Sequence, residues 1–302
     1  VSTSISELNQ RFALAGLLTF QEGPGGLTVA KITSPQGEAM ISLSGGHVMS
    51  WNPAGEKPVL WLSAYAKFAP LKSIRGGVPV CWPWFGPHAT DAGFPGHGFA
   101  RTVPWHVVAS DATAEGVVSI TLELEQPEAT RAQWPHASSA RLTVSVGREL
   151  GLALSTQNLG AEAFVLGEAL HTYFAVGDIR RAPIQGLSGC TYLDKVAGGT
   201  RQVQEGAITI GSEVDRVYVD TESDCTIDDA SLGRRIRIKK SGSRSTVVWN
   251  PWSAKAEKMG DFGPEGHLGM VCVESGNALE NVVSLAPGEE HVMSCVYSVE
   301  TL

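Results

Sequence analysis

Residues Val118–Leu154 read VSITLELEQPEATRAQWPHASSARLTVSVGRELGLAL, and the runs at either end decide the fold. Val118, Ile120, Leu122 and Leu124 take every second position, with Ser119, Thr121 and Glu123 between them, and Leu142, Val144 and Val146 repeat the pattern. A period of two belongs to a strand with one buried face, because successive side chains leave a pleated backbone on opposite sides. Gly147 to Gly151 turns the chain, and Leu152 and Leu154 begin another strand of the same kind.

Outward from this segment Phe164 and Leu166 begin a further strand, and similar runs recur at Arg235–Lys239, Thr246–Trp249, Met270–Glu274 and His291–Val299. The one clear helix signal in the first hundred residues is a capping box, Ser4 with Glu7, ahead of a helix to about Leu14. Gly198-Gly199 and Ser241-Gly242-Ser243 read as hairpin tips. Frequent strands, glycine-rich turns and no long intervening helices predict an all-β protein, a large antiparallel β-sandwich with a few short helices. With no linker and no repeat, residues 1–302 are expected to form one domain.

An apolar fraction of 43% is enough for a sizeable core, and a net charge of −8 weighs against a general polyanion-binding surface. The basic run GRRIRIKKSGSR, Gly233–Arg244, alternates Ile236 and Ile238 with its charges and reads as a half-buried strand, not a nucleic-acid patch. Cys81, Cys190, Cys225, Cys272 and Cys295 are odd in number and form no CxxC pair, which fits thiols in a reducing compartment and a cytoplasmic protein. The longest early apolar stretch, Phe12–Phe20, is too short to cross a bilayer, so no membrane association is expected. No long apolar edge or heptad is present, and a monomer is expected.

Three segments have the composition of a site. The first, Ser73–Arg101, reads SIRGGVPVCWPWFGPHATDAGFPGHGFAR and combines Arg75, Arg101, Trp82 and Trp84 with many glycines and prolines. Such a loop is rigid, offers guanidinium forks to an anion and apolar faces to a sugar, and so suits a polar, oxygen-rich ligand. Taken singly, these arginines and tryptophans are equally ordinary surface and core residues. His88, Asp91 and His97 match no metal-ligand spacing, and no metal is expected. In the second, Gly167–Ile179, alternation puts His171 and Tyr173 on one side of a strand, with His171 either a hydrogen-bonded core histidine or a proton-transfer group. In the third, an apolar strand delivers Glu274, which either marks the strand end or is a base whose pKa burial raises. Trp249, Asn250, Trp252, Lys255 and Asp261 are expected at the rim of the same cleft. Asp215 is a further candidate, its alternative being a surface turn.

These segments resemble the aldose 1-epimerase-like, or galactose mutarotase-like, superfamily, and within it the glucose-6-phosphate 1-epimerase group. The resemblance runs from about Leu27 to LAPGEEHVMSCVYSV at Leu285–Val299. It is carried by IRGGVPVCWPWFG, GHGFAR, ALHTYF, DRVY, VVWNPW and CVESGNA. It implies a β-supersandwich with its cleft on one concave sheet. It also implies that His171 and Glu274 are catalytic, that Arg75, Arg101 and Asp215 bind substrate, and that His97 contacts the sugar. Many members have Gln just before the HGF/LAR motif where this chain has Gly96, so a substrate hydrogen bond is expected to be missing.

Interconversion of α and β anomers needs a proton delivered to the ring oxygen and another removed from the anomeric hydroxyl, which a histidine and a carboxylate can do without a cofactor. The expected partner is a small-molecule sugar phosphate, glucose 6-phosphate foremost. His171 and Glu274 are expected on opposite sides of the ring, with Arg75 and Arg101 on the phosphate. A mutarotase for free aldoses and a non-catalytic sugar-binding protein on the same fold are the alternatives.

Overall fold

The computed structural model describes residues 3–302. Two eight-stranded antiparallel sheets make up most of it, with a four-stranded antiparallel sheet built from the first strands of the chain. The back sheet runs in the order Ile184–Gln185, Cys225–Asp229, Arg234–Ser241, Glu290–Thr301, Leu150–Asn158, Ser138–Val146, Val118–Leu124, Trp105–Ala112. Its strands bury alternate residues along their length, as their period of two requires.

The other sheet, which carries the site, places Met270–Asn277 between Ser245–Asn250 on one side and Glu168–Leu170 and Tyr173–Ala175 on the other. All residues of Ser245–Asn250 and Met270–Asn277 are buried. One face packs against the back sheet through Val248, Val271 and Val273. The opposite face holds a second apolar cluster with Tyr173, Val247, Trp249 and Cys272. A strand covered on both faces loses its visible alternation.

The expected helix spans Ile5–Phe12, and both halves of its capping box are present: Glu7 N–H donates to Ser4 Oγ at 3.3 Å and Ser4 N–H to Glu7 Oε2 at 2.8 Å. Gly198-Gly199 lies at the expected hairpin tip between Thr191–Asp194 and Thr200–Val203. The expectation for Ser241–Ser243 is corrected, because the strands it joins belong to different sheets. The chain crosses there from back sheet to site sheet, with Gly242 at φ 66° and so close to Val292 that a Cβ would lie 2.1 Å from its carbonyl oxygen.

The basic run forms the back-sheet strand Arg234–Ser241, and its arginines are engaged within the protein while Lys239 is exposed. Arg235 pairs with Asp228 and Arg237 with Glu300, while Arg234 turns inward to the carbonyls of Lys57, Pro58 and Ala175. All five cysteines are free thiols. Among the described residues, no helix is long and apolar enough to cross a membrane.

Candidate active site

The strand register brings the site together. Pairing is interrupted at His171 and Thr172, but Leu170 stands opposite Ser275 and Tyr173 opposite Cys272, so the register kept across the break sets His171 opposite Glu274. Their side chains meet on the face away from the back sheet, His171 Nε2 lying 3.3 Å from Glu274 Oε1, with exposures of 12% and 1%. Thr172 and Phe174, one residue out of phase, turn the other way: Thr172 Oγ1 lies 2.7 Å from the Tyr297 hydroxyl, and the Phe174 ring packs edge-on against Tyr297. The alternation read in ALHTYF is therefore the alternation of the fold. The expected placement across a sugar ring is corrected, since imidazole and carboxyl are neighbours on one cavity floor.

That cavity, of about 300 Å³, is lined by His171 and Glu274 together with Arg75, His97, Arg101 and Asp215. All six residues expected at the site thus share one space. Of the expected rim, Trp249 and Lys255 line it, and Asp261 stands behind Arg75. Asn250 and Trp252 do not. The Asn250 amide donates to the carbonyls of His267 and Met270 at 2.8 and 2.9 Å, and Trp252 packs on His267. His88 is held elsewhere, its Nδ1 accepting from the Thr90 and Asp91 N–H groups and its Nε2 lying 3.2 Å from the Gln133 carbonyl.

Two flanks rise from the floor. On one, Arg75 donates from Nη1 to the Tyr173 hydroxyl at 2.9 Å and from Nε to Asp261 Oδ1 at 3.1 Å. Burial opposes the Arg75 charge, but Tyr173 and Asp261 outweigh it and keep the guanidinium protonated. Tyr173 in turn stacks on His171, centroids 5.0 Å apart and planes 18° apart, and Trp61 stacks on the far side of Tyr173 at 5.7 Å. On the other flank His97 has φ 65°, uncommon outside glycine. Its Nδ1 accepts from Gly86 N–H at 3.3 Å, which leaves the proton on Nε2. Burial, then the charges of Arg101 and Lys195, push His97 down to about 3, so it is a neutral donor at physiological pH.

Burial also dominates the central pair. It raises Glu274 well above the carboxylate range, with Asp215 adding to the effect and Lys195 and Arg101 opposing it. It lowers His171 well below the imidazole range, helped by His97, Arg101 and Arg75. The resting pair is neutral overall, and a proton need only cross a 3.3 Å contact to make the imidazolium and carboxylate.

His171, Cys272 and Glu274 offer donor atoms within 4.8 Å of one another. The set suits a metal poorly, because burial and the nearby Glu274 hold the Cys272 thiol protonated and four cationic side chains face the same space. At Gly96, where a Gln side chain was expected to be missing, the carbonyl accepts from Arg101 Nη2 at 2.9 Å. A Cβ there would meet only the Gly86 carbonyl oxygen, at 3.7 Å, so the position has room for a side chain. Sequence reading missed Lys195, which lines the cavity from the tip of a hairpin. Its only local signal, a turn rich in glycine, reads as surface.

The profile of the aldose 1-epimerase family matches residues 28–298. A protein of Escherichia coli K12 provisionally named glucose-6-phosphate 1-epimerase is 40% identical over 255 residues, 84% of each chain. One of the same provisional name from Cenchrus ciliaris is 37% identical over 262 residues, covering 83% of this chain and 78% of its own. The crystal structure of a provisionally assigned mutarotase from Salmonella typhimurium superposes with a TM-score of 0.89 at 34% identity, over 96% of both chains. The chain belongs to the aldose 1-epimerase family.

Proposed function

We propose that this protein interconverts the α and β anomers of hexose 6-phosphates, glucose 6-phosphate foremost, with His171 and Glu274 as the acid–base pair. The observation that carries this reading is the register-opposed pair 3.3 Å apart on the floor of a cavity with four cationic side chains at its walls. A neighbouring pair fits the chemistry better than a pair astride the ring, because the ring oxygen and the anomeric hydroxyl are both attached to C1. The family and the names of its relatives support an epimerase, and the cations support a phosphorylated substrate.

In the proposed cycle His171, as imidazolium, gives its proton to the ring oxygen while Glu274, as carboxylate, takes that of the anomeric hydroxyl. The C1–O5 bond breaks and the free aldehyde forms. After rotation about C1–C2 the liberated hydroxyl attacks the other face of the carbonyl, returning its proton to His171 while Glu274 reprotonates the former carbonyl oxygen. Each group ends as it began, and no proton is drawn from solvent. Burial serves this exchange by excluding water, and it raises the proton affinity of Glu274 while lowering that of His171.

Glu274→Gln tests the assignment. It retains sugar-phosphate binding, measured by calorimetry, and loses about 10²- to 10⁴-fold in anomer exchange, measured by NMR exchange spectroscopy. Near-normal exchange in that variant rules out Glu274 as the base. Equal kcat/KM for glucose and glucose 6-phosphate in the wild type points instead to a mutarotase of free aldoses.

A further inference from the structure

One buried histidine takes no part in the proposed cycle. His47 opens the strand His47–Pro53 of the four-stranded sheet and is 0% exposed. Its Nε2 lies 2.8 Å from the Gly76 carbonyl oxygen, and because a carbonyl only accepts, the ring proton is on Nε2. Nδ1 is then a bare acceptor, buried and without a hydrogen-bond partner among the described residues. Burial pushes His47 down to about 4, the bond to Gly76 opposing and the charge of Arg101 helping, so the ring is a neutral donor at physiological pH. An apolar side chain of similar size would fill this space without leaving a buried nitrogen unsatisfied. What the histidine adds is its hold on one carbonyl.

That carbonyl belongs to a segment that meets the site at both ends. Gly76 and Gly77 have φ 108° and 61°, and the turn they make admits no side chain: a Cβ at Gly76 would lie 2.5 Å from the Trp61 carbonyl oxygen, and one at Gly77 2.3 Å from that of Val48 and 2.7 Å from His47 Nε2. The Arg75 carbonyl accepts from Ser63 N–H at 3.1 Å and Gly77 N–H donates to the Trp61 carbonyl at 2.7 Å, which leaves the Gly76 carbonyl turned away from that pairing and toward His47. Past the turn, the Gly77 carbonyl accepts from Tyr173 N–H at 2.9 Å and that of Pro79 from His171 N–H at 3.0 Å. We infer that His47 is a positioning residue for the reaction: its Nε2 proton pins the Gly76 carbonyl and so holds the backbone of Arg75 at the angle from which the guanidinium enters the cavity beside His171. The cavity is lined by Arg75 and not by His47, so His47 acts through the arginine. The inference rests on the epimerase reading of that cavity.

The test is a double-mutant cycle of His47→Leu, which keeps an apolar body of similar size and deletes the donor, with Arg75→Met. His47→Gln, whose amide can reach the same carbonyl, is the rescue. Anomer exchange on glucose 6-phosphate is followed by NMR well below the melting temperature of each variant, so that only folded protein is counted. His47→Leu is expected to lose about tenfold in kcat/KM and His47→Gln to recover most of it. In the Arg75→Met background His47→Leu costs less than about twofold, because the group it positions is already gone. A purely stabilising role would lower the melting temperature and leave kcat/KM of the folded protein unchanged; that outcome, or losses that multiply across the cycle, overturns the inference. If the leucine variant does not fold, His47→Asn, whose shorter amide keeps a donor but places it short of Gly76, replaces it in the same cycle. In the wild type, imidazole ¹⁵N shifts that put the His47 proton on Nδ1 overturn the inference outright. A wild type that binds glucose 6-phosphate without exchanging its anomers overturns the proposed function alone, and the same cycle run on calorimetric affinities then decides His47.

Discussion

Arg75 illustrates how a single side chain is aimed. Its two protein bonds, to Asp261 and to the Tyr173 hydroxyl, fix the guanidinium, and the Tyr173 ring also stacks on His171. Tyr173→Phe keeps the ring and deletes the acceptor, so kcat/KM for the sugar phosphate is expected to fall about tenfold with little change in melting temperature, as steady-state exchange and a thermal melt would show. Unchanged kinetics would mean that Asp261 alone sets the arginine. His171 and Glu274 were legible because each lies in a run whose alternation or apolarity makes a polar side chain conspicuous. Lys195 was not, since it follows a turn signal. Only the pairing of Tyr192 with Tyr218 and Leu193 with Val217 carries the hairpin tip to Asp215.

Strands, once formed, settle more than their residues announce. Gly276 faces Ala169 in the ladder that ends at Leu170 and Ser275, next to His171 and Glu274, and a Cβ there would lie 2.6 Å from the Glu168 carbonyl oxygen and 2.9 Å from Ala169 Cβ. Gly276→Ala therefore forces apart the two strands that carry the pair. A cost of about 1–3 kcal/mol in denaturant unfolding is expected, together with a larger loss of exchange activity than that cost explains. Full activity in a folded Gly276→Ala protein would show that the ladder tolerates a wider spacing. Back-sheet strands such as Val118–Leu124 were legible from their period of two and the site-sheet strands from apolar runs, and some ends ran further than the pattern, as at Met270–Asn277. The Ser241–Ser243 turn was not legible. A tight turn within one sheet and a tight crossing between two have the same composition, and only distant pairing partners tell them apart.

Between the layers of the whole molecule runs a polar tie. His291 on the long back-sheet strand reaches Glu168 Oε1 at 3.0 Å, and the Asn277 amide donates to the same oxygen at 2.9 Å. Glu168 and Asn277 stand opposite each other in the site-sheet ladder that leads to His171 and Glu274. The hydrogen bond to Glu168 raises the His291 pKa, against burial. Because the folded value lies above that of the unfolded chain, the stabilisation is fully present below about pH 6.5 and is lost as pH rises through the higher folded value. Melting temperatures of wild type and His291→Gln should differ most in mildly acid buffer and converge in alkali; a difference independent of pH would remove the titration from the account.

The placement of His171 beside Glu274 has a thermal consequence. Their separation is set by the paired strands Glu168–Leu170 and Tyr173–Ala175 on either side of His171, whereas the proposed grip on the substrate draws on the irregular segment Ser73–Arg101. Heating should therefore loosen the hold first and spare the chemistry: KM climbs while kcat persists, until both vanish together with the β-sheet circular dichroism.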